Sequence, residues 1–275
     1  MDRPVVALEN ADAVYDYYLA HQQNRRVARL AYGTLARRFR PRVHYGIGAR
    51  ERLRSLIYDD RRLIVAVNHV SDTDPYTVAA AAWSSALRPV IGRTRVLAKD
   101  ELFGETEPGR GRALAERTSQ RRRGIDISQR RRGIDISQRR RIDMMGGIPV
   151  FRGKDHGLRA AARAGNLMMD VCAERLRRGD DLALFPEGTC NEGCPAVLQH
   201  VGSGIGHIVV RARAKGIEPT LVVMGLHYGP PPGRFRSASV HIDVPDLTLP
   251  EKPITIARTV AEYLQVAVEL AVSEY

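Results

Sequence analysis

The sequence predicts an α/β fold: a central, largely parallel or mixed sheet flanked by helices, with a basic amphipathic helix at the N-terminus. Three observations lead there. Short runs of β-branched and aliphatic residues alternate with longer segments of helical periodicity, the pattern that builds a sheet covered by helices. The first such run, Leu63-Ile64-Val65-Ala66-Val67, has no polar interruption, which suits a strand buried on both faces. At 275 residues the chain is long enough for one large domain of this class.

The elements follow in order. From about residue 11 to residue 40, Gly33 is the sole glycine and there is no proline, while Val27, Leu30, Ala31, Leu35 and Phe39 recur at helical spacing. Arg25, Arg26, Arg29, Arg37 and Arg38 crowd the other faces. A basic amphipathic helix of this kind either lies in a membrane interface or packs its stripe on a core. The expected organisation is therefore a helical segment over 1–45, suited to membrane-surface contact, and a main domain over 46–275. Within the latter, strands are expected at 63–67, 95–98, 148–151, 182–185, 221–227 and 239–244. Helices are expected at 75–87, 156–178, 204–215 and 254–272. Pro75 is a start signal for the first of these, and it makes Asp74 a candidate N-cap.

Between the strands at 95–98 and 148–151 lies a basic tandem repeat. Arg121-Arg122-Arg123-Gly124-Ile125-Asp126-Ile127-Ser128-Gln129 recurs at 130–138 and begins again at Arg139. Nine residues rotate a helix by half a turn and also change the face of a strand, so successive Arg triplets would point in opposite directions. The stretch over about 117–143 is therefore expected to be an exposed, mobile insertion, either a solvated expansion or an adhesive for anionic lipid. It holds ten arginines and three aspartates, and so supplies over half of the net charge of +12. Such a charge attracts anionic partners, phospholipid headgroups or nucleic acid. Three cysteines and no apolar leader point to a reducing compartment, the cytoplasm or its membrane face. The longest apolar, uncharged stretch, near 75–87, falls short of the ~20 residues that span a bilayer. Cys190 and Cys194 with His200 and His207 match no recognised ligand spacing, so no metal is expected.

Two polar turns carry the chemistry. Asn68-His69-Val70-Ser71-Asp72-Thr73-Asp74 follows the strand at 63–67, and Phe185-Pro186-Glu187-Gly188-Thr189 follows the strand at 182–185. Ligands of open α/β sheets gather outside the carboxyl ends of strands. His69 has two readings, a structural histidine or a general base whose Nδ1 proton is held by Asp74, leaving Nε2 free. Asp74 likewise either caps a helix or orients the imidazole. Ser71 is a candidate nucleophile, though a turn serine usually bonds local backbone. Glu187 is either a binder of a substrate hydroxyl or a surface turn carboxylate, and Gly188 permits a close ligand approach.

The run from Asn68 through Asp74 resembles the N-H-x-x-x-x-D first motif of the lysophospholipid and glycerol-phosphate acyltransferase family, whose best-known members acylate 1-acyl-glycerol-3-phosphate. Phe185-Pro186-Glu187-Gly188-Thr189 resembles its F-P-E-G-T third motif. Gly147-Ile148-Pro149-Val150-Phe151-Arg152 is similar to the second, and Lys99-Asp100-Glu101-Leu102-Phe103 to the K-x-E-L-F segment. The four stand in the family's order and span roughly 61–227. The resemblance implies an O-acyltransferase of α/β fold in which His69 is the general base and Asp74 orients it. It further implies that Arg152 binds the acceptor phosphate and that Glu187, Gly188 and Thr189 contact substrate. It implies acyl-CoA or an acyl carrier protein as co-substrate, with no other cofactor, and N-terminal helices that dock on the membrane.

The chain departs from the family at two places. Cys190-Asn191 replaces the Arg-Ser that many members carry after F-P-E-G-T, resembling the F-P-E-G-T-C-x-N form of some glycerol-3-phosphate and lysophosphatidylcholine acyltransferases. The fourth motif survives only as Val222-Val223-Met224-Gly225-Leu226, without its proline. A lysophospholipid or glycerol phosphate is the expected acceptor. A non-glycerophosphate acceptor such as a lyso-ornithine lipid is the first rival. An Arg-rich nucleic-acid binder is the rival of another class, but it leaves His69, Asp74 and the 185–189 turn without purpose, so no nucleic-acid partner is expected.

Overall fold

A computed structural model describes residues 3–104, 139–229 and 238–275. The two full copies of the Arg repeat lie outside the described residues. The described strands are β1 Arg42–Tyr45, β2 Leu63–Val67, β3 Thr94–Lys99, β4 Gly147–Val150, β5 Asp181–Leu184, β6 Thr220–His227 and β7 Ser239–Asp243. The helices are α1 Ala11–Ala20, α2 Arg25–Phe39, α3 Ala49–Tyr58, α4 Asp74–Trp83, α5 Gly153–His156, α6 Leu158–Arg177, α7 Gly204–Arg213 and α8 Pro253–Ser273, with a further helical stretch at 139–144.

The strands form a single sheet in the order β1-β7-β6-β2-β5-β3-β4. From β6 to β4 neighbouring strands are parallel, whereas β7 is antiparallel to β6 and carries β1 parallel to itself. The sheet is thus mixed, as the sequence predicts. β2 shows why its run reads as uninterrupted: Ile64 and Ala66 join the core under α6, α7 and α8, while Leu63, Val65 and Val67 join the core under α3 and α4. Successive side chains leave opposite faces, so a strand covered on both sides has no polar position. Gly225 of β6 has a specific task, since the Ala267 carbonyl of α8 lies where a Cβ would be.

The six predicted strands are present with ends shifted by a residue, but β1 and α3 were not foreseen. β1 has a single aliphatic residue, Val43, and acquires strand geometry by pairing with β7 at the sheet edge. The N-terminal helix is also two helices where one was expected. Its break at 21–24 is fixed from outside: Asn24 N–H donates to the Met144 carbonyl and Arg95 donates to the His21 carbonyl, while the Asn24 side chain caps Val27. No local breaker residue marks it.

α1 buries Val14, Tyr15 and Tyr18 in the main core, and Tyr18 donates to Asp143 at 2.7 Å. Residues 139–143, expected at the tail of an exposed insertion, are instead built into the fold: Arg139 and Asp143 are buried, and Asp143 also pairs with Arg3. α2 packs on α4 through Gly33, which lies against Trp83, and through Phe39, which stacks on Tyr76, and it leaves Leu30 of the expected stripe 73% exposed. Among the described residues no helix is long and apolar enough to cross a membrane.

This topology decides where function can sit. β2 lies between β5 and β6, and β3 and β4 continue the parallel series. The turns after β2, β5 and β4 therefore emerge at the same edge.

Candidate active site

At that edge His69 Nδ1 lies 2.9 Å from Asp74 Oδ2. A carboxylate only accepts, so Nδ1 carries the proton and Nε2 of the neutral ring keeps its lone pair. Asp74 is fully buried. Its Oδ2 also accepts the backbone N–H groups of Val70 and Ser71 at 2.6 and 2.9 Å, and its Oδ1 accepts the Tyr228 hydroxyl at 2.7 Å. Four donors thus converge on one carboxylate. The helix begins at Asp74 with Thr73 as N-cap, so the side chain reaches back over its own turn and does not cap in the usual sense.

The turn is anchored to the sheet by Asn68, whose Nδ2 donates to the Leu226 carbonyl while its Oδ1 accepts the Leu226 N–H, at 3.1 and 2.6 Å. Ser71 Oγ contacts Thr73 Oγ1 at 3.0 Å and accepts from the Thr73 N–H, the local bonding of a turn serine.

The second turn meets the first through Glu187. Its Oε1 accepts the His69 N–H at 2.7 Å and its Oε2 accepts the Gln199 N–H at 2.9 Å. A second tie runs from the Asn191 N–H to the His69 carbonyl at 2.6 Å. Gly188 adopts φ +70°, a left-handed conformation that glycine takes without strain, and open space surrounds the place of its missing Cβ. Its carbonyl accepts from Arg152 Nη1 at 3.2 Å, which brings the turn after β4 into the same cluster. The rest of that guanidinium is held by Asp155, with Nε to Oδ2 at 2.6 Å. Thr189 Oγ1 lies 3.3 Å from Gln199 Oε1. All six residues singled out in the sequence, His69, Asp74, Arg152, Glu187, Gly188 and Thr189, are joined by these contacts.

The imidazole is sandwiched. Phe185 stacks on it with ring centroids 4.3 Å apart. Cys190 Sγ lies 3.2 Å from Nε2 and 3.7 Å from Nδ1. Being almost equally far from both nitrogens, the sulfur sits over the ring and not along the in-plane lone pair of Nε2. Burial pushes the Cys190 thiol up to about 12, helped by Asp72, whose Oδ1 is 3.4 Å away.

Behind Phe185 a small apolar cavity of about 60 Å³ opens between the sheet and α4. Val65, Val67, Val96 and Ala183 form its sheet wall, and Tyr32 of α2 covers it from outside. Cavity and imidazole therefore share Phe185 as a common wall.

Sequence reasoning missed Tyr228, Gln199 and the stacking role of Phe185. Tyr228 stands 154 positions from Asp74 and carries no motif. Only the pairing of β6 with β2 brings it there. The K-x-E-L-F segment contributes through Asp100, whose Oδ2 meets His156 Nε2 at 2.8 Å, and through Phe103, which is fully buried.

No family model matches the chain, and no curated protein matches it. Among solved structures the chain is similar to the 1-acyl-sn-glycerophosphate (LPA) acyltransferase PlsC from Thermotoga maritima, at 17% sequence identity and a TM-score of 0.47, over 95% of this chain and 81% of that one.

Proposed function

We propose that the chain is an O-acyltransferase that moves a fatty acyl group from acyl-CoA or an acyl carrier protein to the hydroxyl of a lysophospholipid or glycerol phosphate. The observation that carries this reading is the His69–Asp74 pair at 2.9 Å, set against the wall of an apolar cavity. The pair supplies a base, and the apolar lining of the cavity suits part of an alkyl chain. In the proposed mechanism Nε2 of His69 takes the acceptor's hydroxyl proton as the oxygen adds to the thioester carbonyl. The tetrahedral adduct collapses with loss of the thiolate, which is reprotonated from the imidazolium. One such base contributes about 10²–10⁴-fold, and holding both substrates in place adds to that.

Glu187, Gly188 and Thr189 frame the acceptor side, and Arg152 supplies positive charge there, a guanidinium fork being suited to phosphate. α2, with Arg25, Arg26, Arg29, Arg37 and Arg38 and the exposed Leu30, gives the protein a face for an anionic membrane surface, where it would act as a peripheral enzyme of the cytoplasmic leaflet. Acyl thioester is the co-substrate and no further cofactor enters the scheme.

A second reading keeps the reaction and changes the acceptor. Arg152 is already engaged by Asp155 and the Gly188 carbonyl, and Cys190 stands where many relatives in the proposed family carry arginine. Both features favour an acceptor without phosphate, such as a lyso-ornithine lipid.

The test is to incubate purified protein with acyl-CoA and a panel of phosphorylated and unphosphorylated lysolipids in detergent micelles, following free thiol and identifying products by mass spectrometry. Thiol release that depends on acceptor, and is lost in a folded His69→Ala variant by about 10²-fold or more, is the expected result. No acyl product with any acceptor would sink the reading. Product from unphosphorylated acceptors alone would select the second.

A further inference from the structure

We propose that Tyr228 is a positioning residue for the base: its hydroxyl fixes the rotation of the Asp74 carboxylate so that Oδ2 stays on His69 Nδ1. The proposal deepens the acyltransferase reading and rests on it for the activity measurements alone.

The geometry separates the two carboxylate oxygens. Oδ2 accepts His69 Nδ1 and the N–H groups of Val70 and Ser71, all from the turn that Asp74 itself closes. Oδ1 accepts from Tyr228, which comes from another strand. Rotation about the Asp74 Cβ–Cγ bond would carry both oxygens away from their donors, so hydrogen bonds on Oδ2 and on Oδ1 oppose it together. Tyr228 supplies, at 2.7 Å, the restraint on Oδ1 that comes from outside the turn.

The donor is itself well anchored. Tyr228 follows β6 directly, and β6 pairs with β2 in register, Val67 opposite Met224. The double bond between Asn68 and Leu226 locks the ends of those two strands together, one residue before His69 and two before Tyr228. Burial, followed by the Asp74 charge, pushes the Tyr228 phenol well up, so it remains a donor across the working pH range. The other titratable groups around the pair act elsewhere. Glu187 takes the His69 N–H, and Cys190 with Asp72 lies over the ring.

The sign of the effect follows. Without the phenol O–H, the ionised carboxylate loses a donor and becomes a better partner for the Nδ1 proton, so the imidazolium is favoured and the base is protonated up to a higher pH. Orientation is loosened at the same time, which slows turnover without touching a substrate.

The experiment compares wild type, Tyr228→Phe and a variant with ring-fluorinated tyrosine at position 228, a stronger donor. Three quantities are read: kcat and KM against pH, the NMR titration of the His69 ring, and thermal unfolding. For Tyr228→Phe we expect kcat to fall about tenfold with KM unchanged. The acid limb of the rate profile and the NMR titration of the ring should both move to higher pH, and the fluorinated variant should move them the opposite way. A folded Tyr228→Phe protein with unmoved acid limb and unmoved ring titration overturns the proposal. So does a rise in KM at constant kcat, which would make Tyr228 a substrate contact. Should the wild type transfer no acyl group while the ring titration still moves, the positioning relation stands and the acyltransferase reading falls.

Discussion

The backbone N–H of His69 donates to Glu187 Oε1 at 2.7 Å, so the carboxylate of the second turn holds the base of the first by its main chain. The other oxygen takes the Gln199 N–H. Glu187 thereby acts as a strut between two strand ends that the sheet merely brings near.

Replacing it by glutamine keeps the shape but puts an amide N–H₂ opposite one of two backbone donors. A part-buried donor left facing a donor costs about 1–3 kcal/mol. Glu187→Gln should therefore lower the unfolding free energy by about that amount and slow turnover, with chemical denaturation and kcat as the measurements. A variant as stable and active as wild type would show that the two turns hold together without the strut.

The apolar cavity invites a change of chain preference. Val96 lies on its sheet wall. A Val96→Phe substitution fills part of the space, and each methylene denied burial forfeits ~0.8 kcal/mol, about fourfold in kcat/KM. Long acyl-CoAs should lose ground to short ones in direct competition. An unchanged ranking would place the alkyl chain elsewhere.

Cys190 is expected to be a bystander in catalysis. Its sulfur sits over the imidazole, and the thiol is pushed up to about 12 by burial and Asp72, so it stays protonated at neutral pH. The thiolate is the reactive form. Alkylation of Cys190 by iodoacetamide should accordingly be slower than that of free glutathione at neutral pH, and its rate should keep climbing with pH towards about 12, as read by peptide mass spectrometry. Cys190→Ala should keep kcat within a few-fold. Loss of turnover on the scale of His69→Ala would instead make the sulfur part of the chemistry.

The α/β class, six of the strands and the residues of both polar turns were legible in the chain, because alternation, capping and turn chemistry act over a few residues. β2 is the clearest example: five apolar residues in a row demand cover on both faces, and that alone puts His69 at the end of a central strand. Local pattern had no power over the partners of those turns. β1 reads as polar until β7 pairs with it, and the N-terminal helix breaks where Met144 and Arg95 seize its backbone. Tyr228 and Glu187 find their roles through strand order. What the sequence by itself determined is which groups could do chemistry and which segments would form the sheet. What only the tertiary structure decided is which oxygen, which N–H and which ring face each other. The pairings of β2 with β5 and β6, which bring the site together, join residues more than a hundred positions apart, and no local periodicity encodes these.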